Sequence, residues 1–152
     1  MGSSQISSIY SAIAALAPTP AGGVTVNFQP IGSVTQTLHS DMLPMRKLQA
    51  FANDTGGDMA HIALGNTINV EWKIADRFFY RFANQGQGWE DFADDLVLYV
   101  ASYINILRTN RSLGLAQAHI TGVSFVPMIY DWHDGSKIAG VDVILTVQEV
   151  IT

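Results

Sequence analysis

A chain of 152 residues that is 48% apolar and 14% charged has enough hydrophobic material for one domain with one core, which excludes intrinsic disorder. A formal net charge of −5, with only eight scattered Lys and Arg, argues against sequence-specific binding of nucleic acid. Every apolar run is interrupted well before the ~18 residues that a membrane helix needs, and the lack of cysteine removes disulfides, cysteine zinc sites and thiol catalysis together.

In chain order, Met1-Gly2-Ser3-Ser4 has no basic residue ahead of an apolar stretch, so a secretory signal is not expected. Residues 4–17 predict a helix capped by Ser4 or Ser7, with Ile6, Ile9, Tyr10, Ile13, Ala14 and Leu16 or Ala17 at i, i+3, i+4 spacing. Pro18, Pro20 and Gly22-Gly23 end it, and Val24–Phe28 reads as a strand. Residues 30–44 read as a loop with a short helical turn, 45–52 as a strand, and 53–66 as a loop whose clear part is Asn53-Asp54-Thr55-Gly56-Gly57-Asp58, Met59–Asn66 being ambiguous by pattern. Over 67–82 the alternation of Ile68, Val70, Trp72 and Ile74 predicts a half-buried strand. Asp76-Arg77 interrupts that pattern, as at a bulge or where a strand leaves the core for an edge.

After the Gly86-Gln87-Gly88 loop, residues 89–109 predict a long amphipathic helix. Its apolar face is Trp89, Phe92, Ala93, Leu96, Val97, Val100, Tyr103, Ile104 and Leu107. Glu90, Asp91, Asp94 and Asp95 occupy its first turns, and Arg108 and Arg111 follow its last, which complements the helix dipole. A β-hairpin over 119–151 closes the chain, turning at Asp134-Gly135. Pro127 within it predicts a strand with one unpaired side or a bulge. Strands in local groups rather than one-for-one with helices give an α+β fold: an antiparallel or mixed sheet carrying an N-terminal helix and one long helix, in a single domain over 1–152.

No catalytic constellation emerges. His39, His61, His119 and His133 include no i, i+4 pair. His39-Ser40-Asp41 has the letters of a triad without the fold context that assembles one. The glycine pairs lack the spacing of a phosphate loop. The densest polar cluster, Asp131-Trp132-His133-Asp134, offers metal ligands or an acid and a base, yet it also has the composition of an ordinary hairpin tip. No cofactor and no metal are expected. The low charge, against about 25% in an average domain, suits a surface largely covered by neighbours in an assembly.

An N-terminal helix, Leu43-Pro44 ahead of a strand, the strand Asn69–Arg81 and the Gly86-Gln87-Gly88 loop come in that order, followed by a long amphipathic helix and a hairpin ending in the apolar Gly140–Ile151. This succession resembles the tail terminator and neck proteins of long-tailed bacteriophages, over about residues 5 to 151. The resemblance implies a structural virion protein and not an enzyme. Such a protein assembles in the host cytoplasm as a ring, commonly a hexamer, that caps the tail tube and joins it to the head-completion or connector protein. DNA passes through the ring, which an acidic lining suits. A ring interface is heterologous, so two different faces must complement each other. The candidates are a basic set, Arg46, Lys47, Arg77 and Arg81, and an acidic set on the long helix, Asp91, Asp94 and Asp95. A neighbouring head-completion protein or a tail tube subunit is the alternative within this class. A small ligand- or metal-binding domain or enzyme using the Asp131-His133-Asp134 tip is the alternative outside it.

Overall fold

A computed structural model describes residues 2–20, 24–29, 39–49 and 67–152 in full, and 56–62 by their backbone. The elements are α1 (Ile6–Ala14), β1 (Asn27–Gln29), β2 (Met45–Gln49), β3 (Gly56–Ile62), β4 (Ile68–Phe82), α2 (Ala93–Thr109), β5 (Ala118–Asp131) and β6 (Lys137–Ile151). Short 3₁₀ turns at Ser40–Met42 and Trp89–Phe92 precede β2 and α2. The sheet runs β1-β2-β4-β6-β5, with β3 paired to β4 beside β2. β1 and β2 are parallel and all other neighbours antiparallel, so the fold is mixed α+β.

Several boundaries differ from the sequence reading. The first helix is Ile6–Ala14, shorter than 4–17, and the first strand is Asn27–Gln29 rather than Val24–Phe28. The loop expected over 53–66 contains β3, which pairs Gly56–Ile62 with Ile68–Lys73. Gly56-Gly57-Asp58 carries turn chemistry, but pairing along a strand is a main-chain matter that such residues do not forbid. The outer parts of the expected segments 30–44, 45–52 and 53–66 lie in part outside the described residues.

The largest correction concerns Asp76. It does not lead the strand out of the core: β4 lies between β2 and β6, and Asp76 is fully buried in it. The register shift comes later, between Phe79 and Arg81 opposite Gly140–Ala139. Gly140 is obligatory there, since a Cβ would meet the Phe78 carbonyl oxygen at 1.9 Å. Pro127 lies in β5, the edge strand, opposite Val141, where a missing N–H is tolerated on the open side.

One face of the sheet presents Leu48, Ile74, Phe78, Val141, Val143 and Leu145 to both helices. The other carries a smaller cluster of Met45, Phe79, Tyr130 and Ile138. Helix α2 is rotated relative to expectation: Leu96, Tyr99, Tyr103 and Leu107 are buried, while Val97 and Ile104 face solvent. Two tyrosines set that rotation. The Tyr99 ring stacks on Phe78 at 3.7 Å between centroids, and the Tyr103 hydroxyl donates to Asp76 at 2.6 Å. Large aromatic area and a hydrogen bond to a buried carboxylate outweigh two aliphatic side chains.

Helix α1 has no acidic residue in its first turn and no basic residue in its last, and the sheet supplies both. At its start, the buried Glu149 of β6 accepts from the Gln5 backbone N–H, from Ser4 Oγ at 3.0 Å and from Trp72 Nε1 at 2.9 Å. At its end, the Arg46 guanidinium of β2 donates to the carbonyls of Ile13 at 3.0 Å, Ala14 at 3.5 Å and Leu16. Its Nη2 also meets Asp76 at 2.6 Å. These groups satisfy helix ends and match the helix dipole at the same time.

Two matched substitutions test this network by chemical denaturation. Tyr103→Phe removes a hydrogen bond to a charged group and is expected to cost about 1.5–3 kcal/mol. Tyr99→Phe removes a buried hydroxyl with no partner among the described residues, so its stability is expected to stay level or rise. Asp76→Ala leaves Arg46 buried and uncompensated and is expected to cost about 3–5 kcal/mol.

Candidate functional site

The charged residues singled out from sequence separate into those used inside the protein and those left on its surface. Arg46 is 3% exposed and held by Asp76 and the α1 carbonyls, so it is a core residue and not a subunit contact. Burial works against its charge, but the attraction and hydrogen bond of Asp76 prevail and hold the guanidinium firmly protonated. Lys47, the next residue of β2, is half-buried on the opposite face.

Arg77 is not at a sheet edge, as β4 is interior. Its Nε donates to Asp142 Oδ1 at 3.3 Å across the β4–β6 pair, and its guanidinium lies 6.0 Å from the Tyr130 ring. Burial raises the Asp142 carboxyl above its ordinary range, an effect that Arg77 only partly offsets. Arg81, beyond the register shift, is exposed and lies 5.0 Å over the Tyr80 ring. It is the one member of the basic set that is exposed.

On the acidic side, Asp91 and Asp94 are exposed, whereas Asp95 is half-buried. Asp91 Oδ2 accepts from the Gly88 N–H at 2.8 Å and so caps the turn that opens α2. Asp95 Oδ2 accepts from Tyr80 OH at 2.7 Å. Burial, aided by that bond, raises the Tyr80 hydroxyl above its usual pKa. The acidic set is therefore two surface carboxylates, one of them a cap, and one side chain spent on holding α2 to the sheet.

The hairpin tip is explained by local structure. Gly135 has φ +85°, Asp134 Oδ1 accepts from the Ser136 N–H at 2.9 Å, and Asp131 pairs with Lys137 at 2.6 Å in solvent. Trp132 packs edge-on against Phe79 at 5.3 Å, and His133 against Trp132 at 5.8 Å. The sequence brings Asp131, His133 and Asp134 close along the chain, yet each carboxylate has its own partner. Among the described residues, no three His, Asp or Glu side chains converge as a metal site would require. His39, Ser40 and Asp41 are all exposed around a 3₁₀ turn. The His61 side chain lies outside the described residues.

What sequence reasoning missed is the apolar surface. Val97 is 64% exposed, Leu98 50%, Ile104 48% and Val126 45%. Trp89 of the preceding 3₁₀ turn and Val97 and Val100 of α2 face Phe125 and Pro127 of β5 across an apolar trough. The signal was present in α2 as more apolar residues than one buried stripe can use, but the helix rotation decides which of them are left out. No known family model matches this chain, and no curated protein matches it significantly.

The raised Asp142 carboxyl has a sign that can be checked. A folded-state pKa above the unfolded one means that its contribution is fully present below the ordinary carboxylate range. It is lost as pH rises through the folded value. Asp142→Asn is therefore expected to flatten the fall in stability over that acidic window while leaving the Arg77 side chain hydrogen-bonded. Melting temperatures of both proteins across pH, taken as a difference, measure it.

Proposed function

We propose that this chain is a structural virion protein, a tail terminator whose copies close into a ring that caps the tail tube and joins it to the head connector. The observation that carries the reading is the surface. Val97, Leu98, Ile104, Val123 and Val126 stand in solvent on a chain in which only 14% of residues are charged. These side chains lie on α2 and on both faces of the edge strand β5, and depletion of charge is the mark of a buried interface core. A protein made to live alone in solution needs the reverse.

The internal chemistry supports the same reading. Arg46, Asp76, Asp142 and Glu149 are buried, and each is bonded to side chains or helix ends of the chain itself. They hold the scaffold together, and Arg46, which also borders a cleft beside Leu16 and Phe28, spends its donors on Asp76 and the carbonyls at the end of α1. The order of elements, with a helix, a mixed sheet, a second helix and a closing hairpin, keeps the succession on which the sequence resemblance rests. In a ring each subunit offers two different faces. With Arg46 interior and Arg77 held by Asp142, apolar contacts rather than an acid-to-base match carry those faces.

Light scattering over a range of concentrations, followed by negative-stain imaging, is expected to find closed rings of one size. Open filaments would favour a tail tube subunit instead. A monomer at every concentration, whose melting temperature rises with added divalent metal ions, would overturn the reading in favour of a binding domain at the Asp131-His133-Asp134 tip.

A further inference from the structure

Helix α2 has two seams, and the sheet uses one of them. Leu96, Tyr99, Tyr103 and Leu107 face the core. A second line, Asp94, Val97, Ala101, Ile104 and Arg108, is exposed at every position. Its alternating spacing of three and four residues is that of a helix–helix seam. Glu90, in the 3₁₀ turn ahead of the helix, and Arg111, just beyond its end, extend the same spacing and are exposed as well.

Read from either end, this line is self-complementary. Turned end for end about Ala101, it sets Asp94 against Arg108 and Val97 against Ile104. Glu90 then falls opposite Arg111, and Ala101 meets its own copy. A parallel arrangement would instead place acid on acid and base on base. Alanine at the centre lets two helices approach closely, within the usual 8–10 Å between axes. Among the described residues, neither Asp94 nor Arg108 forms an ion pair within the chain. Antiparallel helices also oppose their dipoles favourably.

We propose that α2 is a self-association surface on which the α2 of a second copy docks antiparallel, about a two-fold axis at Ala101. Val97 and Ile104 supply the apolar contact. The charged ends supply orientation, which is what exposed ion pairs do best. The contact is isologous and cannot by itself close a ring. It takes Val97 and Ile104 out of the surface on which the ring reading rests: if rings form, through the remaining exposed residues such as Phe28, Val123 and Val126, this contact joins them in pairs.

Sedimentation equilibrium at low salt tests it on the full chain. Asp94→Arg and Arg108→Asp each put like charges face to face twice per dimer, and each is expected to weaken self-association about tenfold or more. The double variant Asp94→Arg/Arg108→Asp, and an equimolar mixture of the two single variants, restore opposed charges and are expected to restore pairing. Because the chain has no cysteine, Ala101→Cys provides a single thiol and is expected to oxidise to a covalent dimer, whereas Arg111→Cys is not. All these positions are exposed, so circular dichroism is expected to show an unchanged fold. The proposal is overturned if the wild-type chain shows no self-association, if the single reversals do not weaken it, or if the double variant and the mixture stay as weak as the singles. Rings that persist at half the mass in Asp94→Arg would support the two-fold contact and keep it separate from ring closure.

Discussion

Helix α1 depends on charges that it does not own. Nine residues make a helix too short to stand alone in water, and this one carries no stabilising charge at either end. The sheet clamps it between Glu149 at its N-terminus and Arg46 at its C-terminus. Arg46 in turn needs Asp76, and Asp76 also receives Tyr103 of α2. A single buried group of charges thereby ties together α1, β2, β4 and α2. Buried ion pairs add little net stability compared with apolar packing, but separating one is costly. Here the consequence is that α1 cannot peel away without stranding a guanidinium and a carboxylate in the core, so it is part of one cooperative unit with the sheet rather than a fraying end.

How much of this was legible in the sequence depended on whether local pattern or tertiary context decided each element. The long helix, the Asp134-Gly135 hairpin and the Ile68–Ile74 alternation are local signals, and each appears where the pattern places it. Strand β3 was not legible, because its first three residues favour turns and its pairing rests on backbone bonds to β4. Asp76 was misplaced for a deeper reason. Alternation alone says that an acid in a strand marks an interruption, whereas its partner Arg46 lies 30 residues away and no local pattern announces the match. The rotation of α2 was hidden in the same way, since Tyr99 and Tyr103 were chosen by Phe78 and Asp76 on another element.

The exposed apolar residues were the least legible. Arg46, Arg77 and Asp95 carry charge and therefore drew attention, yet each is satisfied within the protein. The apolar surface left in solvent became visible only once the core had claimed its share of the apolar residues.

The position of β6 in the chain has a bearing on synthesis. It is the last element, yet it pairs along nearly its whole length with β4 on one side and β5 on the other, and it brings the Glu149 that anchors α1. Until residues 137–151 have left the ribosome, the β6-facing edge of β4 is unpaired and the part of the core made by Val141, Val143, Leu145 and Val147 is missing. The contacts that complete the core are therefore ones distant in sequence, available only once the closing hairpin has been made.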